Sequence, residues 1–271
     1  MNYIDQGTVI YGMRSEKYPE KMCYAIIISA RCDISNDKIS KLYYLTAVNA
    51  REWFCTENGF NEVYSKVLED KKKNFKNSNK KYKINFDLLL TMPYETAVIV
   101  LEKNEKNEKK RANLIGSFTE IYQYVGPLNF DSRRKFVKTN SSPAVKFLDK
   151  IVKGHINHYF FLPKRVYENS EIGNDGLIVD LQEIGILSMY DAKCLKSPGI
   201  DFQILSEMDT SEQERLTKTY WLENCDDFVE IEGVVRSPWC ELLMQRFSND
   251  FIRIGVDGTN EHDYKELINQ M

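Results

Sequence analysis

The chain has 271 residues, 42% of them hydrophobic, 12% aromatic and 28% charged, which is enough to bury a sizeable core and excludes collagenous, coiled-coil, mucin-like and disordered classes. Lys+Arg 37 against Asp+Glu 40 gives a formal charge of −3, so a grip on nucleic acid by the whole surface is excluded and any such grip is local. A mean hydropathy of −0.46 and apolar runs no longer than Tyr24 to Ile28 argue against a membrane span or a membrane partner. The opening MNYIDQGTVIYG has no apolar signal region, which makes the cytoplasm the expected compartment.

In chain order, Thr8 to Tyr11 predicts a strand. Tyr24 to Ile28, β-branched and without alternation, predicts a central strand buried on both faces. After a loop from Ser29 to Ser40, Lys41 to Val48 predicts a third strand. Asn49 begins a helical stretch with Trp53, Val63 and Val67, broken at Asn58-Gly59. Residues 71–83 are the most basic segment and read as a mobile surface loop. Ala97 to Leu101 and Asn113 to Val125 are β-compatible runs around a charged tip, a predicted hairpin.

Ser142-Pro143 predicts a helix start and Gly154 its end, with Val145, Leu148, Ile151 and Val152 on one face. His158 to Leu162, Leu177 to Leu181 and Phe228 to Val235 predict strands. Ser211 with Glu214 has the spacing of a capping box. Ser237-Pro238 opens a final helix with an apolar stripe of Leu242, Leu243, Phe247 and Phe251. We expect an α+β protein, with residues 1–140 a β-rich domain and residues 141–271 a mixed half ending in an amphipathic helix.

Four constellations could carry chemistry. Ser29 to Ser35 follows a buried strand, where Cys32 wants a base that no nearby His supplies; the plainer expectation is that Ser29 or Asp33 satisfies loop amides while Cys32 packs inward. Asp180 with Asp191-Ala192-Lys193 spells a loose Asp…Asp-x-Lys nuclease pattern, in which two carboxylates would hold Mg²⁺ and the lysine would position water. His155 and His158, with His262 far downstream, are too few for a metal site, and His158 is expected in the core. The lysines Lys71, Lys72, Lys73, Lys80 and Lys81, interleaved with Phe75 and Tyr82, can neutralise phosphates while an aromatic stacks on a base; Arg133 and Arg134 with Lys135 form a second cluster. The six cysteines have neither disulfide-framework nor zinc spacing and are expected reduced and mostly inaccessible.

Gly7-Thr8-Val9, the strand ending Ile26-Ile27-Ile28-Ser29 and the run Leu42 to Val48 resemble, in order and length, the opening of the PemK/MazF toxin family. The resemblance covers about the first fifth of the chain. It implies an SH3-like, partly closed β-barrel at the N-terminus. That family's ribonucleases carry Arg-Pro before the buried strand where this chain has Lys21-Met22-Cys23, so the resemblance leaves Lys21 as a substitute cation and Ser40 as its polar partner. The wording from Ser237-Pro238-Trp239 to Arg253-Ile254-Gly255 resembles the ending of uncharacterised bacterial proteins of mobile-element or defence settings.

The expected function is that of a nucleic-acid-associated accessory protein of such a system, gripping nucleic acid through residues 71–83, with a protein partner from the same operon also expected. The alternatives are a protein-interaction adaptor without catalysis, or a nuclease of PemK-like or Mg-dependent Asp-x-Lys type. No cofactor is expected unless the Mg-dependent route holds.

Overall fold

Among the described residues the β-branched and aromatic runs form seven strands: β1 (Thr8–Met13), β2 (Cys23–Ile27), β3 (Lys41–Asn49), β4 (Tyr159–Leu162), β5 (Leu177–Ser188), β6 (Ile200–Asp201) and β7 (Phe228–Val234). The helices are α1 (Arg31–Ser35), α2 (Ala50–Trp53), α3 (Glu57–Ser78), α4 (Phe86–Leu90), α5 (Tyr94–Asn104), α6 (Glu108–Tyr122), α7 (Phe130–Thr139), α8 (Ser141–Val152), α9 (Met189–Cys194), α10 (Phe202–Ser206), α11 (Thr210–Thr219) and α12 (Trp239–Val256). This computed structural model describes residues 4–78, 84–166, 176–195 and 199–256. The chain is mixed α+β, and no helix among the described residues is long and apolar enough to cross a membrane.

The strands join in the order β4-β5-β3-β2-β1-β7-β6, antiparallel at every pair. Among the described residues β4 and β6 are its edges, so the sheet is open and does not close into the expected barrel. The reason is pairing across the chain: β3 takes β5 as its neighbour and β1 takes β7, so N- and C-terminal strands share one sheet. By its contacts the chain divides into Met1–Ala50 with Lys150–Met271, and Arg51–Asp149. Residue 140, where a boundary was expected, lies between α7 and α8 inside the second unit.

In the sheet unit, one face presents Val9, Tyr24, Ile26, Leu45, Ala47, Leu177 and Val179 to a core that also takes Leu243 of α12, with Trp239, Met244 and Phe247 packed against it. The final helix therefore closes the sheet's core, as its apolar stripe demands. The opposite face, by alternation, carries Ala25, Ile27, Tyr44, Thr46 and Asp180. β2 is buried along its whole length. Gly12 has φ +89°, and a Cβ there would sit 2.6 Å from the Phe228 carbonyl of β7, so the β1 bulge against β2, between Tyr11 and Met13, needs glycine.

The helical unit overturns two expectations. Residues 71–78 are the last turns of α3 and not a loop: the Thr56 hydroxyl accepts from the Gly59 amide at the N-terminus, and Phe60, Val63, Val67 and Phe75 are buried along one stripe. Phe75, 3% exposed, packs edge-on against Phe86 at 4.9 Å, which anchors the lysine-rich end. The expected hairpin is α5 and α6, whose buried residues Ala97 and Leu101, and Leu114, Phe118 and Ile121, fall at helical spacing. The cap before α11 is Asp209, which accepts from the Ser211 and Glu212 amides, where the sequence pointed to Ser211.

Candidate functional site

Charge is unevenly shared between the two units. Residues 51–149 hold 19 Lys and Arg against 13 Asp and Glu, a formal +6, and the chain's −3 therefore leaves −9 on the sheet unit. An acidic chain thus carries a basic helical insertion, which is the local concentration that nucleic-acid contact requires.

Within that unit a groove of about 710 Å³ lies between α7 and α8. Asn129 caps α7 by accepting from the Ser132 amide, and only Asn140 separates the two helices. From α7 the groove is lined by Asp131, Arg134, Lys135, Val137 and Lys138, and from α8 by Ser141, Ala144, Val145 and Leu148. The α8 row has the spacing i, i+3, i+4, i+7, one face of a helix, and the α7 residues other than Val137 share it. Arg51, Phe54 and Cys55 complete the lining, and Trp53 beside them stacks on Phe147 of α8 at 5.7 Å. The α7 wall thus carries three cations beside Asp131 and Val137, and the α8 wall is aliphatic beyond Ser141, with Ala144 itself buried. Arg51, Arg134, Lys135 and Lys138 are all exposed, and so is Val145 at 65%.

Of the residues expected to contact nucleic acid, Arg134 stands in this groove. Arg133 does not: it is 3% exposed, because one helical residue turns it from its neighbour's face toward the core beside Phe136. Lys71 is ion-paired with Glu120 and Lys72 with Asp87, while Lys73 is exposed. Lys80 and Lys81 lie outside the described residues. The sequence reading missed Arg51, Lys138 and the α8 wall. The signal available for the last two was the pair of matching rows on either side of Asn140.

The Asp…Asp-x-Lys pattern does not assemble. Asp180 pairs with Thr46 across the sheet and Ser188 with Lys41, five residues farther along β3, so they stand roughly 17 Å apart. Asp191 is held at Ser188, whose hydroxyl donates to it at 2.6 Å, and is ion-paired with Arg215. Lys193 instead reaches Asp37 at 3.0 Å. Asp180, 1% exposed, accepts from the Tyr18 hydroxyl at 2.7 Å and the Gln182 amide at 3.1 Å, and pairs with Lys17 at 2.5 Å. Its oxygens are engaged in holding the β1–β2 connection against β5.

Lys21 and Ser40 are also apart. Lys21 precedes the β2 end where Tyr24 pairs with Ala47, whereas Ser40 precedes Lys41, six residues away along β3 or about 20 Å. The Ser40 carbonyl accepts from the Met189 amide at 2.9 Å.

Ser29 accepts from the Tyr43 amide at 2.8 Å, as expected of a loop-satisfying hydroxyl. Cys32 is exposed and does not pack inward. All six cysteines are free; Cys32 and Cys225 are exposed and Cys23 and Cys55 buried. His158 is exposed beside Tyr159, since the buried strand starts one residue after it, and His262 lies outside the described residues. Among the described residues no group of three His, Cys, Asp or Glu side chains is placed to hold a metal ion.

Burial pushes the Tyr44 phenol up to about 12, with the Cys23 and Glu183 charges adding to it. Tyr220 is raised by burial as well, with Cys194 and Tyr44 contributing. No family model matches the chain, and neither a curated protein nor a solved structure matches it.

Proposed function

We propose that this chain is a nucleic-acid-associated accessory protein whose contact surface is the helical unit, residues 51–149. The observation that carries the reading is the set of exposed cations Arg134, Lys135 and Lys138 on α7, in a unit of formal charge +6. Phosphates meet these side chains as point charges and guanidinium forks, so binding is weak and tolerant of sequence. The contact moves from the lysines of α3, two of which are neutralised by Glu120 and Asp87, to α7. A bacterial mobile-element or phage-defence setting, with a partner from the same operon, rests on the wording around α12 alone.

An electrophoretic shift with single- and double-stranded DNA and RNA tests this. Three cations on a single strand give a slope of log affinity against log salt near −2, and the triple change Arg134→Ser, Lys135→Ser, Lys138→Ser should bring it close to zero. Lys71→Ser with Lys72→Ser should leave it alone. A triple variant that binds like the parent would refute the assignment to α7.

A second reading, the adaptor, is favoured by one observation: the α8 wall of Ala144, Val145 and Leu148 is aliphatic, and Phe54 is the one aromatic side chain in the lining, where a stacking platform has exposed rings.

A further inference from the structure

One end of the sheet's packed face carries apolar side chains that its core does not cover. Tyr43 of β3 pairs with Ile186 of β5, and Leu45 with Ile184, and side chains so paired point to the same side. Leu45 belongs to the core that α12 closes, so all four lie on that face. Leu45 is fully buried, yet Tyr43 is 49% exposed, Ile186 54% and Ile184 38%. Gln6 locates α12 beside them: its side-chain amide donates to the Ile28 carbonyl at 3.3 Å and to the Met244 sulfur at 3.5 Å, and the Ile28 amide donates to the Tyr43 carbonyl at 2.9 Å. We propose that residues 257–271, which follow α12, dock on this patch as an amphipathic helix, so that the chain covers its own sheet face. This reading is independent of nucleic-acid binding.

Pattern, reach and tethering select this occupant. Tyr264, Leu267, Ile268 and Met271 fall at i, i+3, i+4 and i+7, an apolar stripe on one helical face, with Lys265, Glu266, Asn269 and Gln270 on the other. Gly258 breaks the run from α12, and Thr259 or Asn260 supplies a cap residue. A helix this short is marginal in water by itself, so its stripe needs an apolar surface to form against. From Met244 to Val256 α12 rises about 18 Å, while the chain from Val256 to Tyr264 spans up to about 26 Å when extended, so Tyr264 reaches back to the level of Met244. A linker this short holds its segment at an effective concentration on the order of millimolar, which a second copy or a free peptide at micromolar concentration does not match. Lys41, exposed and two residues before Tyr43 on the same face, gives the patch a cationic rim for a segment in which Asp257, Glu261, Asp263 and Glu266 outnumber Lys265.

Hydrogen exchange of the full chain, read by mass spectrometry, tests this. In the parent, peptides within residues 264–271 should exchange at least about tenfold more slowly than an unstructured peptide of the same sequence. Tyr43→Thr with Ile186→Thr makes the patch polar at exposed positions while keeping residues that favour strands; it should abolish that protection and leave the exchange of β2 and β3 as in the parent. Leu267→Ser with Ile268→Ser, which leaves the sheet's own residues untouched, should abolish it equally. The protection should also be the same at two protein concentrations about a hundredfold apart, since docking within one chain does not depend on mass action. Unprotected exchange of residues 264–271 in the parent, or protection that survives Tyr43→Thr with Ile186→Thr, would overturn the proposal. Protection that grows with concentration, together with a dimer in sedimentation, would overturn it in favour of a second copy on the patch.

Discussion

Tyr44 shows how a single side chain is fixed by the residue opposite it. Its cross-strand partner is Gly185, and a Cβ on that glycine would come within 2.0 Å of the Tyr44 ring, so the phenol lies over the bare backbone of β5. Burial there disfavours the phenolate and pushes the phenol up to about 12 from an ordinary 10.0. Below pH 10 the group is neutral in both folded and unfolded chains and contributes no pH dependence. Between 10 and 12 the unfolded chain has released the proton that the folded chain retains, so stability falls as pH rises. The loss is about 2–3 kcal/mol across that window. Urea unfolding of Tyr44→Phe and parent between pH 10 and pH 12 should therefore diverge, the variant losing less. Parallel curves would show that the phenol titrates freely.

At the scale of elements, what the sequence made legible depended on where the apolar residues fell. β1, β2 and β3 were readable because their β-branched runs are largely buried, β4 from its aromatic run and β7 from strand composition, although only Val229 and Glu232 of β7 are buried; Gly154, with φ +69°, follows the end of α8 as a C-terminal glycine should. α5 was misread because Val98, Ile99 and Val100 have strand composition, while the decisive burial is at Ala97 and Leu101, four apart. The asparagines Asn85, Asn107 and Asn129, each accepting from an amide of the following helix, were local signals for α4, α6 and α7. The open sheet was not legible, since no local pattern says that β3 will pair with a strand more than a hundred residues away. For the site, Arg134 was legible as part of a basic run; that Arg133 would be buried depended on the rotation of α7 against its neighbours.

The same scale decides the role of α12. Leu243 is fully buried and Phe247 packs on the sheet core, so Phe247→Ala should lower stability by about 2–4 kcal/mol. Thermal unfolding with sedimentation checks this: a lowered melting temperature with unchanged mass is expected, and unchanged melting with altered sedimentation would make the helix a docking face.

Over the whole molecule, the sheet unit and the helical unit differ in charge as sharply as in architecture. The first has a formal −9 and the second +6, so the proposed function expects a polyanion at residues 51–149 and not on the sheet unit. The candidate chemistry on the sheet unit does not gather: Asp180, Asp191 and Lys193 each hold a different structural partner, and Lys21 and Ser40 sit at opposite ends of β3. Nucleic-acid contact is therefore expected on the helical unit. Ultraviolet crosslinking of a single-stranded oligonucleotide to the intact chain, with the attached peptides identified by mass spectrometry, tests it most directly. The account expects the crosslinks within residues 51–149 and concentrated on the peptides of α7 and α8. Crosslinks confined to the sheet unit, or spread evenly over both, would contradict it.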